Sequence, residues 1–420
     1  MLIPMIRVQA AVGQGGLHYG RIGDDEGTSW MYDCGSYSRR CYFEREVDYL
    51  RSLSPPIRAP RPTLDVLYLS HFHEDHVNRL VLIAATFDVK RVVIPRTSAL
   101  ERLHVFLTWS HTPYTPAGHQ RLGAALAANP ASVLHDLFPD ADVDEVTPEE
   151  QPPPPRDGDL PPDEPPPDEG HSDARRWPGS PRPVTTAIRA PHGVTHIAAA
   201  RGPWSRSTPI WDLIPFALPT MLTVYGQVEA DLLTKFPTFT AAQLTALLGN
   251  PSALLNWLAA AATRRKVQDA YADAMRRNSL GANQNLTSLV LLSAPADRNN
   301  LCVHPVGSPV DRRSGWLHTG DVDVPVGSSH EAALSAFVAQ HAHRLQWYSL
   351  PHHGADSSWG ANACAAAGPA VVPVAEAQPR FRGWHHPGPA VTAALGGRIR
   401  IVDHGVPSRL IVREHLHVCT

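Results

Sequence analysis

The chain has 420 residues, 43% hydrophobic and only 18% charged, with a net charge of −3 when His is counted neutral. That length holds one large catalytic domain, with or without an insertion, and the charge gives no global basic surplus of the kind that advertises nucleic-acid binding, although a local basic groove stays open. Five scattered cysteines (Cys34, Cys41, Cys302, Cys364, Cys419) form no CxxC pair, which argues against a disulfide framework or a Cys-type zinc site. The opening MLIPMIRVQAAVG lacks the pattern of a secretory leader, and no run of about 18 apolar residues occurs, so a cytoplasmic protein with no membrane association is expected. Two counts stand out: 41 Pro, which point to long loops, and 23 His, the commonest metal-ligand residue.

In chain order, residues 1–35 alternate apolar and polar with Gly-rich turns and predict two or three strands. FEREVDYLRSL (43–53) has helical periodicity, LDVLYLS (64–70) reads as a buried strand, NRLVLIAATF (78–87) as a helix and VKRVVIP (89–95) as another strand. This is an α/β rhythm. Helix is expected over most of 97–135. The tract 148–183 is dominated by Pro, Asp and Glu and nearly lacks aliphatics, so a disordered or polyproline II-like surface segment is expected, with a protein partner one use for it. TTAIRA, IWDLIPFAL and TMLTVYG (185–226) read as strands. The Ala-rich LLNWLAAAATRRKVQDAYADAMRR (254–277) reads as the clearest helix. Strands follow at 285–295, 315–322, 344–351 and 369–375, with a helix over 331–342. The expected division is an N-terminal half over 1–96, a helical insertion over 97–280 and a C-terminal half over 281–420.

The chemistry concentrates in LYLSHFHEDHVNRL (67–80). Three His and two carboxylates fall within six positions directly after an apolar strand. In a loop leaving a strand, His71 and His73 can converge on one point while Asp75 and His76 face a second, and neutral imidazole with carboxylate suits zinc, manganese or iron. The competing reading is a solvated helix start with Asp75 as its N-cap. Cys34 reads as a small buried strand residue rather than a nucleophile.

His71-Phe72-His73-Glu74-Asp75-His76 after an apolar strand resembles the signature of the metallo-β-lactamase superfamily. WMYDCGS (30–36) is similar to its early strand ending in Asp-x-Gly, HTGDV (318–322) to its T-G-D motif, and LPHHGADSS (350–358) to its P-x-H-G segment. The resemblance implies a four-layer αββα sandwich carrying a large, partly disordered insertion. It implies metal ligation by His71, His73, Asp75, His76, Asp321 and His353, with Asp321 bridging two ions. His353, directly before Gly, is favoured over His352. The implied cofactor is one or two Zn²⁺ ions, with Mn²⁺ the alternative. NLTSLVLL (285–292), the HHG segment and GWHHPGPAVTAAL (383–395) are similar to the hydrolase domain of bacterial DNA-uptake channel proteins. Two departures stand out. No additional His ligand is evident between the first motif and Asp321, His192 and His196 being the candidates by composition and Asn285 sitting nearer to where the subgroup strand begins. HHGA replaces the subgroup's HHGS, with Ser357 or Ser358 as replacements for the lost hydroxyl.

The resemblance implies a metal-activated hydroxide. Asp75 is the expected proton acceptor, His386 or His352 the expected group for the leaving alkoxide or an anionic oxygen, and Asp33 and Asp65 are candidates for orienting imidazoles. The expected substrate is a phosphodiester in nucleic acid or a nucleotide-like molecule. The alternatives are a small-molecule ester, thioester or lactone, or a metal-binding component of a multiprotein system, because this fold hosts many chemistries.

Overall fold

The computed structural model describes residues 2–24, 27–53, 60–109, 117–147, 184–200, 208–218, 222–278, 288–297, 301–305, 313–324, 326–379 and 381–418. The Pro- and acid-rich tract 148–183 and Asn285 lie outside them.

The strands are β1 (Leu2–Gln9), β2 (Gly15–Ile22), β3 (Thr28–Ser36), β4 (Thr63–Leu64), β5 (Val66–Tyr68), β6 (Asp88–Val89), β7 (Arg91–Pro95), β8 (Asp142–Val146), β9 (Val184–Arg189), β10 (Thr195–Ala200), β11 (Thr208–Ala217), β12 (Leu289–Pro295), β13 (Leu301–Pro305), β14 (Gly315–His318), β15 (Leu345–Ser349), β16 (Val372–Glu376), β17 (Arg400–Val402) and β18 (Leu410–Val418). Sixteen of them form two eight-stranded sheets, ordered β13-β18-β1-β2-β3-β5-β7-β8 and β17-β16-β15-β14-β12-β11-β10-β9, and β4 pairs with β6 in a small parallel two-stranded sheet. Parallel pairing runs through β3-β5-β7-β8 in the first and β14-β15-β16-β17 in the second.

The sheets meet face to face. Ile3, Trp30, Tyr32 and Tyr68 of the first share one buried cluster with Ile197, Trp211, Leu213 and Leu291 of the second. The helices are α1 (Arg40–Ser52), α2 (Glu74–Val77), α3 (Leu80–Thr86), α4 (Ala99–Trp109), α5 (Ala117–Ala128), α6 (Pro130–Leu137), α7 (Leu222–Lys235), α8 (Ala241–Leu248), α9 (Pro251–Leu258), α10 (Ala261–Arg277), α11 (Ser329–His341), α12 (Ala361–Ala366) and α13 (Pro389–Leu395). Residues of α1 and α3 through α10 share a core with the outer face of the first sheet, and α11, α12 and α13 share one with the second. The layering is α-β-β-α, the architecture the motif resemblance implied.

Two stretches depart from the sequence reading. TMLTVYG, expected as a strand, opens helix α7 from Leu222. Its β-branched and aromatic residues favour a strand locally, but Val224, Val228 and Leu232 repeat at helical spacing and pack in one cluster with Tyr271 and Met275 of α10. The Ala-rich stretch is two helices, not one. The chain breaks between α9 and α10, where Arg264 Nη1 donates to the free carbonyls of Leu258 and Ala259 at 2.6 and 2.8 Å. Arg276 and Arg277 pair with Asp273 and Asp231 at 2.6 and 2.5 Å on the surface of α10. Within 97–280, strands β8 to β11 extend the two sheets. Among the described residues no helix is long and apolar enough to cross a membrane.

Candidate metal centre

The parallel strands of both sheets point their carboxyl ends at one place, the usual ligand crevice of such sheets. Beyond β5 runs Ser70 to His76. Beyond β14 runs Thr319 to Asp321. Beyond β15 comes Pro351-His352-His353, and beyond β16 the loop that carries His386. The Leu289 amide donates to Ser70 O at 2.7 Å and the His352 amide to Gly320 O at 3.0 Å, tying these loops together across the sheets.

Asp33 organises the first loop. It lies in β3 with φ of 59°, a left-handed conformation costly for a non-glycine residue. Its Oδ1 accepts from the Ser70 amide at 2.7 Å, and its Oδ2 accepts from Ser70 Oγ and from His76 Nδ1, both at 2.8 Å. Ser70 Oγ, having donated to Asp33, accepts from His71 Nδ1 at 2.8 Å, with Ser288 Oγ 3.2 Å from the same nitrogen. One carboxylate thus fixes two imidazoles through their Nδ1 atoms and turns both Nε2 atoms inward. Gly35 explains the other half of the Asp-x-Gly motif: a Cβ there would lie 2.5 Å from the Asp75 carbonyl carbon, so only Gly lets α2 sit this close.

The inward atoms converge. Asp321 Oδ1 is 3.0 Å from His76 Nε2 and 3.2 Å from His353 Nε2, and Asp321 Oδ2 is 3.9 Å from His71 Nε2. Asp75 Oδ2 is 3.4 Å from His353 Nε2. Two donor groups result, Asp75–His76–Asp321–His353 and His71–His73–Asp321, with the donor atoms of each within 4.8 Å of one another. Asp321 belongs to both. His71 Nε2, His76 Nε2, His353 Nε2 and Asp321 Oδ1 are buried without a hydrogen-bond partner. Buried polar atoms are costly unless satisfied, and imidazole nitrogen with carboxylate is the donor chemistry of a divalent transition metal. The residues therefore fit a metal ion.

Electrostatics follow from this crowding. Burial, with His76 and His73 close by, holds His71 well below its ordinary value, and burial brings His73 down to about 4. Burial also disfavours a charged His76, but Asp321, Asp33 and Asp75 outweigh it and hold that ring well above the ordinary value. Asp321 is held well below the carboxylate range, because His353, His76 and His352 outweigh its burial.

His352 and His353 both have left-handed backbones, with φ of 48° and 57°. This turn sends the two rings apart. His353 enters the four-residue group, and His352 lies outside both groups with Nε2 4.0 Å from Asp321 Oδ2. His352 Nδ1 is 3.4 Å from Asp323 Oδ1 and 3.3 Å from Ser358 Oγ, and Ser358 also donates to Asp323. Ser358 thus puts a hydroxyl beside this ring where the HHGA segment lacks one. Burial lowers His352, but Asp321 and Asp323 raise it to about 9. The His386 ring stands 5.9 Å from His352 and 6.1 Å from His353, half-buried and lowered to about 4 by burial and those neighbours.

Neither His192 nor His196 belongs to a donor group. His196 Nδ1 instead donates to Asp212 at 2.8 Å. Asp65 accepts from the Ser29 amide at 2.8 Å, so it pins strand β3 rather than orienting a site imidazole. Cys34 is fully buried, and burial raises its thiol. Ser70, Ser288 and Asp323 escaped the sequence reading. Their only signal is adjacency, one residue before His71, inside NLTSLVLL, and two residues after Asp321.

No protein-family model matches the chain, and no curated protein does. Among solved structures it is similar to a long-form RNase Z from yeast, at 9% identity and a TM-score of 0.27, over 82% of this chain and 32% of that one. The chain therefore spans about a third of the length of that protein.

Proposed function

We propose that the protein is a metal-dependent hydrolase of phosphodiesters, in nucleic acid or a nucleotide-like molecule. One or two divalent ions, zinc first and manganese the alternative, would be held by His71, His73, Asp75, His76, Asp321 and His353. The observation that carries this reading is the carboxylate of Asp321, shared by two donor groups in which His71 Nε2, His76 Nε2, His353 Nε2 and Asp321 Oδ1 are buried without a hydrogen-bond partner. The choice of phosphodiester is supported by the likeness of NLTSLVLL, LPHHGADSS and GWHHPG to the hydrolase domain of DNA-uptake channel proteins.

When bound, such ions supply a polarising charge and lower the pKa of water toward neutrality. The chain's own residues do the rest. Asp75, with Oδ2 3.4 Å from His353 Nε2 inside the four-residue group, would accept the proton of the attacking water. Asp33 and Ser70 hold the imidazoles of His76 and His71 in one tautomer throughout. His352, fixed through Nδ1 by Asp323 and Ser358, presents Nε2 to the leaving oxygen. His386, whose Nδ1 is buried without a partner, completes the anion-facing side.

The test is metal content of the purified protein together with hydrolysis of bis-4-nitrophenyl phosphate under added Zn²⁺ or Mn²⁺, with Asp75→Ala as the control. Bound metal and turnover lost in Asp75→Ala support the reading. Bound metal without turnover turns it toward ester, thioester or lactone substrates. A protein that binds no metal overturns it.

A further inference from the structure

The loop after β16 carries more than His386. Trp384 is 42% exposed, the one aromatic among the large exposed hydrophobic residues described. It does not stand alone. Its ring centroid lies 5.9 Å from Phe381 and 6.0 Å from Tyr37, and those two lie 6.4 Å apart at an interplanar angle of 13°. Trp384 stands steeply to both, at 70° and 64°, so the three rings make a corner rather than a closed stack. On its other side Trp384 is 6.1 Å from His386, which is 6.1 Å from His353. Two ring-to-ring steps therefore connect the exposed indole to the donor group around Asp321.

The corner is held in place. Ser38 Oγ, one residue after Tyr37, donates to Gln378 Oε1 at 2.9 Å, joining the two loops that supply the rings. The Gly388 amide donates to Gly354 O at 2.8 Å, fastening the Trp384 loop to the turn of His353. Asp356 Oδ1 accepts from the Ala390 amide at 2.9 Å and anchors the helix that follows. An exposed indole fixed on a braced loop beside a polar site is a surface ready to meet another flat ring.

We propose that Trp384, with Tyr37 and Phe381, is a stacking platform for an unpaired nucleobase next to the phosphodiester at the metal centre. The proposal rests on the phosphodiesterase reading and sharpens its substrate class to nucleotides presented as single strands or free ends. In a nucleotide a sugar separates the phosphate from its base, so a phosphate at the donor group leaves the base to one side, and His386 lies between that group and the indole. Stacking accepts any base, because every base has a π-face. A base inside a duplex is already stacked and would first have to leave the helix.

The test is calorimetric binding of thymidine 5′-phosphate and of methyl phosphate to the full-length, metal-loaded protein. The expected result is a preference of about tenfold for the nucleotide. Trp384→Ala abolishes this preference and Trp384→Phe retains it, with circular dichroism confirming that both variants fold. Equal affinity of the two ligands for the wild-type protein, or a preference that survives Trp384→Ala, overturns the platform. Turnover of thymidine 5′-(4-nitrophenyl phosphate) by the same samples is scored separately. Its absence counts against the phosphodiesterase reading, whereas the binding ratio decides the platform either way.

Discussion

Arg7 is fully buried between the sheets, and its guanidinium is met from several sides. Its Nη2 donates to Glu414 Oε2 at 2.6 Å and to Ser314 Oγ at 2.8 Å, its Nη1 donates to Ser314 O, and its Nε alone lacks a partner. The rings of Trp211 and Trp316 lie 5.3 and 5.8 Å from it. Asp321 is buried to the same degree, yet its surroundings are arranged in the opposite sense. Three imidazole nitrogens face it, and they and its own Oδ1 lack hydrogen-bond partners. In the first cluster nearly every polar atom is matched within the fold, so its role ends with stability. In the second the partners around the donors (Asp33, Ser70, Ser288) are in place while the donors face each other unmatched. Imidazole nitrogens gathered round a shared carboxylate in this way fit a cation.

Breaking each cluster separately tests the contrast. The largest expected effect is on stability. Glu414→Ala leaves a buried guanidinium without its counter-charge and should cost about 3–5 kcal/mol, seen as a lower midpoint in denaturant. Metal stoichiometry of the folded fraction should not change, and a loss of metal in this variant would undo the distinction. Next comes Asp33→Asn, which keeps one oxygen to accept from the Ser70 amide but turns an NH2 donor toward Ser70 Oγ and His76 Nδ1, weakening the grip on His76. Metal affinity of the folded protein should fall by about 10- to 100-fold, measured by competition with a chromogenic chelator; unchanged affinity would remove Asp33 from the support of the donors.

The smallest effect sharpens the comparison from the outside. Glu46 accepts from Arg409 Nε and Nη2 at 2.6 and 2.8 Å and from the Ala11 amide at 3.2 Å. Burial alone would raise its carboxyl, but Arg409, the Ala11 amide and Arg45 outweigh that and hold it below the usual range. The unfolded chain therefore binds this proton more readily than the folded one. The contribution is complete above the unfolded value, about 4.3, and is lost as pH falls through the lower folded value. Thermal midpoints measured from pH 6 down to pH 3 should fall more steeply for the wild type than for Glu46→Gln; parallel curves would remove Glu46 from the account.

What the sequence revealed, and what it hid, follows the same division. The donor residues were legible because a metal site compresses its chemistry into short motifs after apolar strands, as in His71 to His76 and Thr319 to Asp321. Asp33 was legible through the Gly two positions on. Residues that act by contact across the fold were not. Ser288 meets His71 from 217 positions away, and nothing in either segment announces the pairing. Short segments misled where local preference and packing disagreed, as in TMLTVYG, where Val224, with Val228 just beyond the segment, packs at helical spacing in one cluster with Tyr271. The aromatic corner could not be read at all, since Tyr37 and Trp384 come from opposite ends of the chain.

The pairing of β1 with β18, Leu2 opposite His417 and Gln9 opposite Leu410, has a temporal side. Translation proceeds at roughly 5–20 residues per second, so β1 emerges roughly 20–80 s before its neighbour on that side exists. During that interval the growing chain carries an open strand edge, and His71 to His76 await Asp321 and His353. Pairing of the β1 edge and completion of the donor set thus both wait on segments made long after His71 to His76. A chain cut short between His76 and Asp321 would carry a raw edge and half a metal site.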